Sequence, residues 1–320
     1  VFFALKQTSF YKKMIRAVLF GTHPKYYWLS MLLFLGVLVI VLISWNKLDP
    51  GIKEGFEQES PYVYLSKDQV YDDPVYVSMY DRLMLPQDVL DNVVTEVVQM
   101  TQPSKMHSTI LDLGSGTGLT AATLARKGYT VYGVDKSPTM VQHAKSKYDE
   151  IPTLQFKEAD WSDPMLWEPN SFTHILCTGF SLYLLESKTL QRRFLEHCFH
   201  WLKPGGYLVV QLADATKFSA IVPGGRPPVP VQSRERIVNT VIDYVDFKYK
   251  AGFTFPAADQ VVLKESFSDA GRVRDLEQTF YMPSVKDVLT LAVQAGFAGQ
   301  GYATLKHDPH QYLYVFVKPA

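Results

Sequence analysis

Three glycines and two aspartates, through their spacing, are the part of this sequence best placed to do chemistry. Gly114, Gly116 and Gly118 follow the apolar run from Thr109 to Leu113 and precede a helical pattern, so a buried strand turns sharply into a helix there. Glycine has no Cβ, which lets the backbone turn tightly and lets a ligand come close to it. Asp112 stands just before the turn, and a second apolar run, Thr130 to Val134, ends in Asp135. A carboxylate about twenty residues beyond such a turn can accept two hydrogen bonds from a ribose diol. A dinucleotide fingerprint would need glycine at 119, where this chain has Leu119.

The G-x-G-x-G turn with its preceding acid resembles motif I of the class I S-adenosylmethionine-dependent methyltransferases. The resemblance implies S-adenosylmethionine as cofactor. Its amino-acid end would be held by Asp112, Gly114, Ser115, Gly116 and Gly118, and its ribose by Asp135, with Lys136 and Met140 opening the next helix beside the adenine. Phe156 to Ser162 resembles the motif III turn, which implies adenine contacts from Asp160 and Trp161. Residues 173–185 resemble motif IV, which implies that Thr178, Gly179 and Phe180 line the methyl-transfer mouth with Tyr183 behind them. The segment lacks the Asp/Asn-Pro-Pro-Tyr form used on nucleobase and amide nitrogens, and Cys177 lacks the Pro-Cys context of cytosine C5 enzymes, so Cys177 is expected as a core thiol. Trp201 to Tyr207 resembles the structural turn before the fifth strand. The likeness covers about 75–214 well and 284–320 in outline.

These motifs need a scaffold of alternating strands and helices. Apolar runs at Thr109–Leu113, Thr130–Val134, Leu154–Glu158, Thr173–Cys177 and Tyr207–Leu212, separated by helical patterns, predict an α/β fold. It is a doubly wound, mostly parallel seven-stranded sheet of methyltransferase type. A helix is expected from about Tyr80 to Met100, after a Pro- and Gly-containing linker over 47–75. The rhythm breaks at about 214–283, where a proline-rich loop and period-two segments at Thr240–Tyr249, Val261–Phe267 and Arg274–Tyr281 predict an inserted antiparallel β layer. Ser284 with Asp287 resembles a capping box opening a helix that Gly296 ends, and strands over 300–306 and 311–318 close the sheet. Entering just beyond the carboxyl edge of the strands, the insert should roof the cofactor mouth. Tyr71, Tyr76, Tyr80, Phe180, Tyr183, Arg226 and Arg234 are the candidate acceptor contacts.

The N-terminal region differs from the rest. Residues 26–46 are 21 consecutive uncharged, mostly apolar residues, bracketed by Lys25 and Lys47 and bordered by Tyr26, Tyr27, Trp28 and Trp45. That length spans roughly 30 Å as a helix, so one transmembrane helix is expected, preceded by a basic amphipathic segment over 1–25. The basic residues 1–48 leave 26 basic against 32 acidic residues for 49–320, a body without the footprint for gripping nucleic acid. No HExxH, Cys/His cluster, G-x-S-x-G or Walker pattern occurs, so no metal is expected. The expected protein is a membrane-anchored, single-pass methyltransferase of an organellar (mitochondrial included) or viral membrane. Its partners are membrane lipid and a small-molecule acceptor, with a catalytic base left open among His174, Asp214 and the tyrosines. The competing expectation is a silent methyltransferase-fold subunit of a membrane assembly, binding protein partners through the insert, with its mouth plugged by side chains.

Overall fold

The structure is a computed structural model that describes residues 62–218, 239–269 and 272–320, together with Leu35. The transmembrane span over 26–46, the basic segment before it, and Arg226 and Arg234 lie outside the described residues, apart from Leu35. Among the described residues no helix is long and apolar enough to cross a membrane.

The central sheet has seven strands. Strands β2 (Thr109–Leu113), β3 (Thr130–Asp135), β4 (Leu154–Glu158), β5 (Phe172–Cys177) and β6 (Leu202–Ala213) are parallel, and β11 (Ala298–Leu305) with β12 (Asp308–Val317) forms an antiparallel hairpin on one edge. The order β11-β12-β6-β5-β2-β3-β4 puts the reversal of winding between β2 and β5. Open α/β sheets leave a crevice at the carboxyl ends of the strands there. Helices α4 (Leu119–Arg126), α5 (Pro138–Tyr148) and α6 (Lys188–Trp201) make the crossovers, and α7 (Val285–Gln294) leads into β11. Ser137, Ser187 and Ser284 cap α5, α6 and α7 by accepting a backbone N–H in the first turn, and Gly296, at φ 102°, ends α7.

Three sequence expectations need correction. The stretch 47–75, expected as a linker, is structured from Tyr62 onward, as β1 (Tyr62–Ser66) and α1 (Asp68–Asp72). Pro74, at the end of that stretch, is the first residue of α2 (Pro74–Met84), where its missing N–H costs nothing and Asp73 caps the helix. The single helix expected over 80–100 is two, α2 and α3 (Gln87–Thr101), divided at Pro86. Thr240–Tyr249 is not one strand but the hairpin of β7 (Asn239–Asp243) and β8 (Lys248–Ala257).

The insert continues through β9 (Gln260–Asp269) and β10 (Arg272–Tyr281) as an antiparallel meander. β1 joins its edge in parallel with β10, so the second sheet runs β1-β10-β9-β8-β7. Its inner residues Tyr249, Val261, Leu263, Phe267, Leu276 and Phe280 are buried in one continuous core with Leu111, Leu113, Ile175 and Leu212 of the main sheet. The second sheet therefore shares one apolar core with the first.

Candidate active site

The glycine turn has the backbone its composition demands. Gly114, Gly116 and Gly118 sit at φ 71°, 53° and 78°, where side-chain-bearing residues are strained. Space matters as much: a Cβ on Gly114 would lie 2.5 Å from Ser181 Oγ and 3.0 Å from Trp161, and one on Gly118 would lie 2.4 Å from Phe156. At Gly116 the nearest atoms, on Met140 and Tyr80, would be 3.9 Å away, so the turn is open on that side.

Asp135 supports this turn from β3. One carboxylate oxygen accepts the Gly116 N–H at 2.9 Å and the other accepts the Ser137 N–H at 2.9 Å. Burial raises its pKa, and these backbone donors with the Lys136 charge pull it back. Lys136 points outward and pairs with Asp68. Met140 is buried.

Asp112 is the more exposed to consequence, though it is 1% accessible. Its Oδ2 has no hydrogen-bond partner, and neither has Ser115 Oγ. Burial first, then the Asp135 charge, pushes the Asp112 pKa up to about 7. A buried carboxylate oxygen without a donor is costly, so a ligand donor is the natural complement.

Asp112, Gly114, Ser115, Gly116, Thr178, Gly179, Phe180, Tyr76 and Tyr80 line one cavity with Tyr71, as does Ser181. The cavity encloses about 1090 Å³, solvent at its mouth included. Tyr80 reaches across it: a Cβ on Gly116 or on Gly179 would meet its ring or hydroxyl at 3.9 Å or 4.0 Å. The roof is Phe253, Leu263 and Phe280 of the insert, with Phe218, whose ring packs against Phe180 and Phe253 at 5.8 and 6.0 Å.

Gly118, Asp135, Lys136, Met140, Asp160, Trp161 and Tyr183 do not line this cavity. Trp161 lies beside Gly114 and packs on Phe194, while Asp160 is exposed and accepts the Ser162 N–H at 2.8 Å. Tyr183 is fully buried and its hydroxyl accepts the Ala213 N–H at 2.9 Å, so it braces β6 from behind the mouth. Of the open candidates for a base, His174 lies four residues before Thr178 on β5, about 13 Å from the carboxyl edge. It is buried, which drops its pKa to about 4. Asp214 is turned to Thr216 and Lys217. Cys177 is buried in the core, with its thiol pKa raised by burial.

Sequence reasoning missed part of the cavity lining, formed by Met84 and Leu85 at the end of α2, Val89 and Val93 of α3, and Gln211, His307 and Gln311. The available signal was an amide in each of two otherwise apolar strand patterns, Gln211 near the end of β6 and Gln311 near the start of β12.

A sequence profile described as a methyltransferase domain matches residues 110–206. These residues carry the glycine turn, Asp135 and the strand leading to Thr178. The chain has the class I S-adenosylmethionine-dependent methyltransferase fold. The methyltransferase CcbJ from Streptomyces caelestis superposes with a TM-score of 0.62 at 18% identity, over 78% of this chain and 98% of that one. A 2-heptyl-1-hydroxyquinolin-4(1H)-one methyltransferase of Mycobacteroides abscessus is 28% identical over 142 residues, 44% of this chain and 61% of that protein. A demethylmenaquinone methyltransferase of Tropheryma whipplei is 34% identical over 101 residues, 32% of this chain and 40% of that protein. The chain thus spans between two fifths and three fifths of these relatives. The residues present fit the cofactor of this fold: the bare Asp112 oxygen suits an ammonium group, and the open side of Gly116 admits a ligand against the backbone.

Proposed function

We propose that this protein transfers a methyl group from S-adenosylmethionine to a small molecule held under the inserted sheet, and that residues 26–46 tether it to a membrane. The carrying observation is the unpartnered, buried Asp112 oxygen at the glycine turn, in a cavity that continues past Gly179 into a chamber walled by Tyr76, Tyr80, Phe180, Phe218 and Phe280. The bound cofactor supplies an electrophilic methyl on a sulfonium. The protein's part is to hold the cofactor's amino-acid end at Asp112, brace the turn through Asp135, exclude water with the roof, and orient the acceptor.

The acceptor is a small molecule because the aromatic roof encloses the mouth. Two relatives named for a hydroxyquinolinone and for demethylmenaquinone support the same class. The open cavity also favours catalysis over the silent-subunit reading, which required a plugged mouth.

Calorimetry with S-adenosylmethionine and S-adenosylhomocysteine tests the reading, and binding of both is expected. A folded sample that gives neither heat nor a thermal shift at millimolar ligand would overturn it. Asp135→Ala should weaken binding by about 1 to 3 kcal/mol, since it removes the brace on Gly116 and the carboxylate that the motif resemblance assigns to the ribose.

The tether rests on the length of the apolar run, its aromatic borders and its flanking lysines. An organellar membrane, mitochondrial included, or a viral one is the proposed location. Basic residues before the span would keep the N-terminus on the positive-inside face, with the methyltransferase body opposite.

A further inference from the structure

We infer that His307 selects the methyl acceptor, through its bare Nδ1 lone pair, as an uncharged, largely apolar molecule that presents a hydroxyl hydrogen. The inference rests on the proposed methyltransferase reading and deepens it.

His307 occupies the two-residue turn between β11 and β12 and lines the cavity. The turn is held to α3, because Lys306 N–H donates to Asn92 Oδ1 at 2.8 Å. A chain of hydrogen bonds fixes which ring nitrogen carries the proton. Gly179 N–H donates to Gln211 Oε1 at 2.9 Å, so the other end of that amide is its NH₂, which donates to Gln311 Oε1 at 3.0 Å. Gln311 Nε2 in turn donates to the Asp308 carboxylate at 3.1 Å, so both amides are oriented without ambiguity. His307 Nε2 stands 3.3 Å from Gln311 Oε1. An amide oxygen only accepts, so Nε2 bears the hydrogen and Nδ1 of the neutral ring is a bare acceptor. Nδ1 is buried and has no hydrogen-bond partner among the described residues.

A buried acceptor left bare is costly, and a ligand hydroxyl satisfies it. The neighbouring lining fits the rest of such a ligand. Leu85, Val89, Val93 and Phe218 are apolar, and among the described lining residues none is a lysine or arginine that would favour a carboxylate or phosphate. The relay also starts at the Gly179 N–H, on the turn that follows β5, so it ties the recognition end to the proposed transfer mouth. A site built to receive a hydroxyl discriminates sharply against the analogue that lacks it, because the analogue leaves the buried group unpaired.

The test uses the full chain in detergent or lipid, with a matched pair of bicyclic probes, 2-naphthol and 2-methoxynaphthalene, and 2-naphthoate as the anionic control. Calorimetry at neutral pH in saturating S-adenosylhomocysteine should show 2-naphthol bound at least tenfold more tightly than either analogue. His307→Phe, which keeps a ring in the turn, should reduce that preference to less than twofold with the melting temperature retained. His307→Gln, whose side-chain oxygen restores an acceptor, should recover part of it. Equal affinity for naphthol and its methyl ether in the wild type, or a preference unchanged in His307→Phe, overturns the inference. Cofactor binding is read separately in the same samples: S-adenosylhomocysteine bound without naphthol preference refutes His307 alone, whereas loss of S-adenosylhomocysteine binding refutes the methyltransferase reading.

Discussion

Asp112 is neutral more readily in the folded protein than in the unfolded chain, because burial and then the Asp135 charge push its pKa from 3.8 up to about 7. Between those values the folded state binds more protons than the unfolded state, so this residue makes stability fall as pH rises from about 4 to about 7. The ligand-free protein therefore carries a penalty above neutrality on the order of 2 to 4 kcal/mol at this one site. Asp112→Asn should remove it: the variant should melt higher than the wild type at pH 8, match it near pH 4, and bind S-adenosylhomocysteine more weakly. Scanning calorimetry across pH decides, and a variant with the wild-type pH slope would disprove the assignment. Asp112 was legible from sequence because it lies two residues from the turn it serves, and local spacing places it. His307, Gln211 and Gln311 were not, since β6 and β12 pair across a separation of about a hundred residues and only that pairing brings the two amides together. Lys136 and Asp160 were expected at the cofactor from motif position, yet both turn to solvent, because neighbouring strand-end residues need not point the same way.

The elements of the roof are pinned by contacts that no local pattern announces. Arg82 of α2 forks onto Asp246 at 3.0 and 3.3 Å in the β7–β8 turn, and its guanidinium lies 4.6 Å from the Tyr244 ring centroid and 5.3 Å from that of Phe247. The turn was read as continuous strand because Val241, Val245, Phe247 and Tyr249 keep an alternating apolar pattern through it, with no Gly, Pro or Asn to mark the reversal. β1 was hidden for the opposite reason: its five residues sit among prolines and acids, and its partner β10 lies some two hundred residues on. Both ions of the Arg82–Asp246 pair are about half exposed, so the pair is worth less than about 1 kcal/mol to global stability. Its effect should be local. In Arg82→Ala, amide exchange over 239–257 should accelerate by tenfold or more while that of β2, β3 and β5 stays as in the wild type. Uniform acceleration across both sheets would mean that Arg82 supports the whole fold rather than the edge of the roof, and an unchanged roof would remove it as a clamp.

At the scale of the whole molecule, the parallel strands of the central sheet were legible because each carries a short apolar run ended by turn residues, and helices of ordinary length separate them. The insert was expected from its point of entry to roof the crevice, and Phe253, Leu263 and Phe280 of the second sheet line the cavity beside Gly114 and Gly179. The proposed tether belongs to this scale because it decides where the cavity works. A small, largely apolar acceptor of the kind proposed would partition into a bilayer, so an anchored enzyme would meet it at high local concentration without any dedicated lipid site. The prediction is that the full chain stays with membranes after alkaline carbonate extraction. A variant carrying Leu33→Arg and Val39→Asp should be released, since each charge near the middle of the span costs about 2.5 to 3.5 kcal/mol of insertion. Binding of S-adenosylhomocysteine should be the same in both, because the residues that line the cavity lie at Tyr71 and beyond. If the unmodified chain washes off as readily as the doubly charged variant, residues 26–46 are no anchor. If release is accompanied by loss of cofactor binding, the apolar segment supports the fold of the body instead.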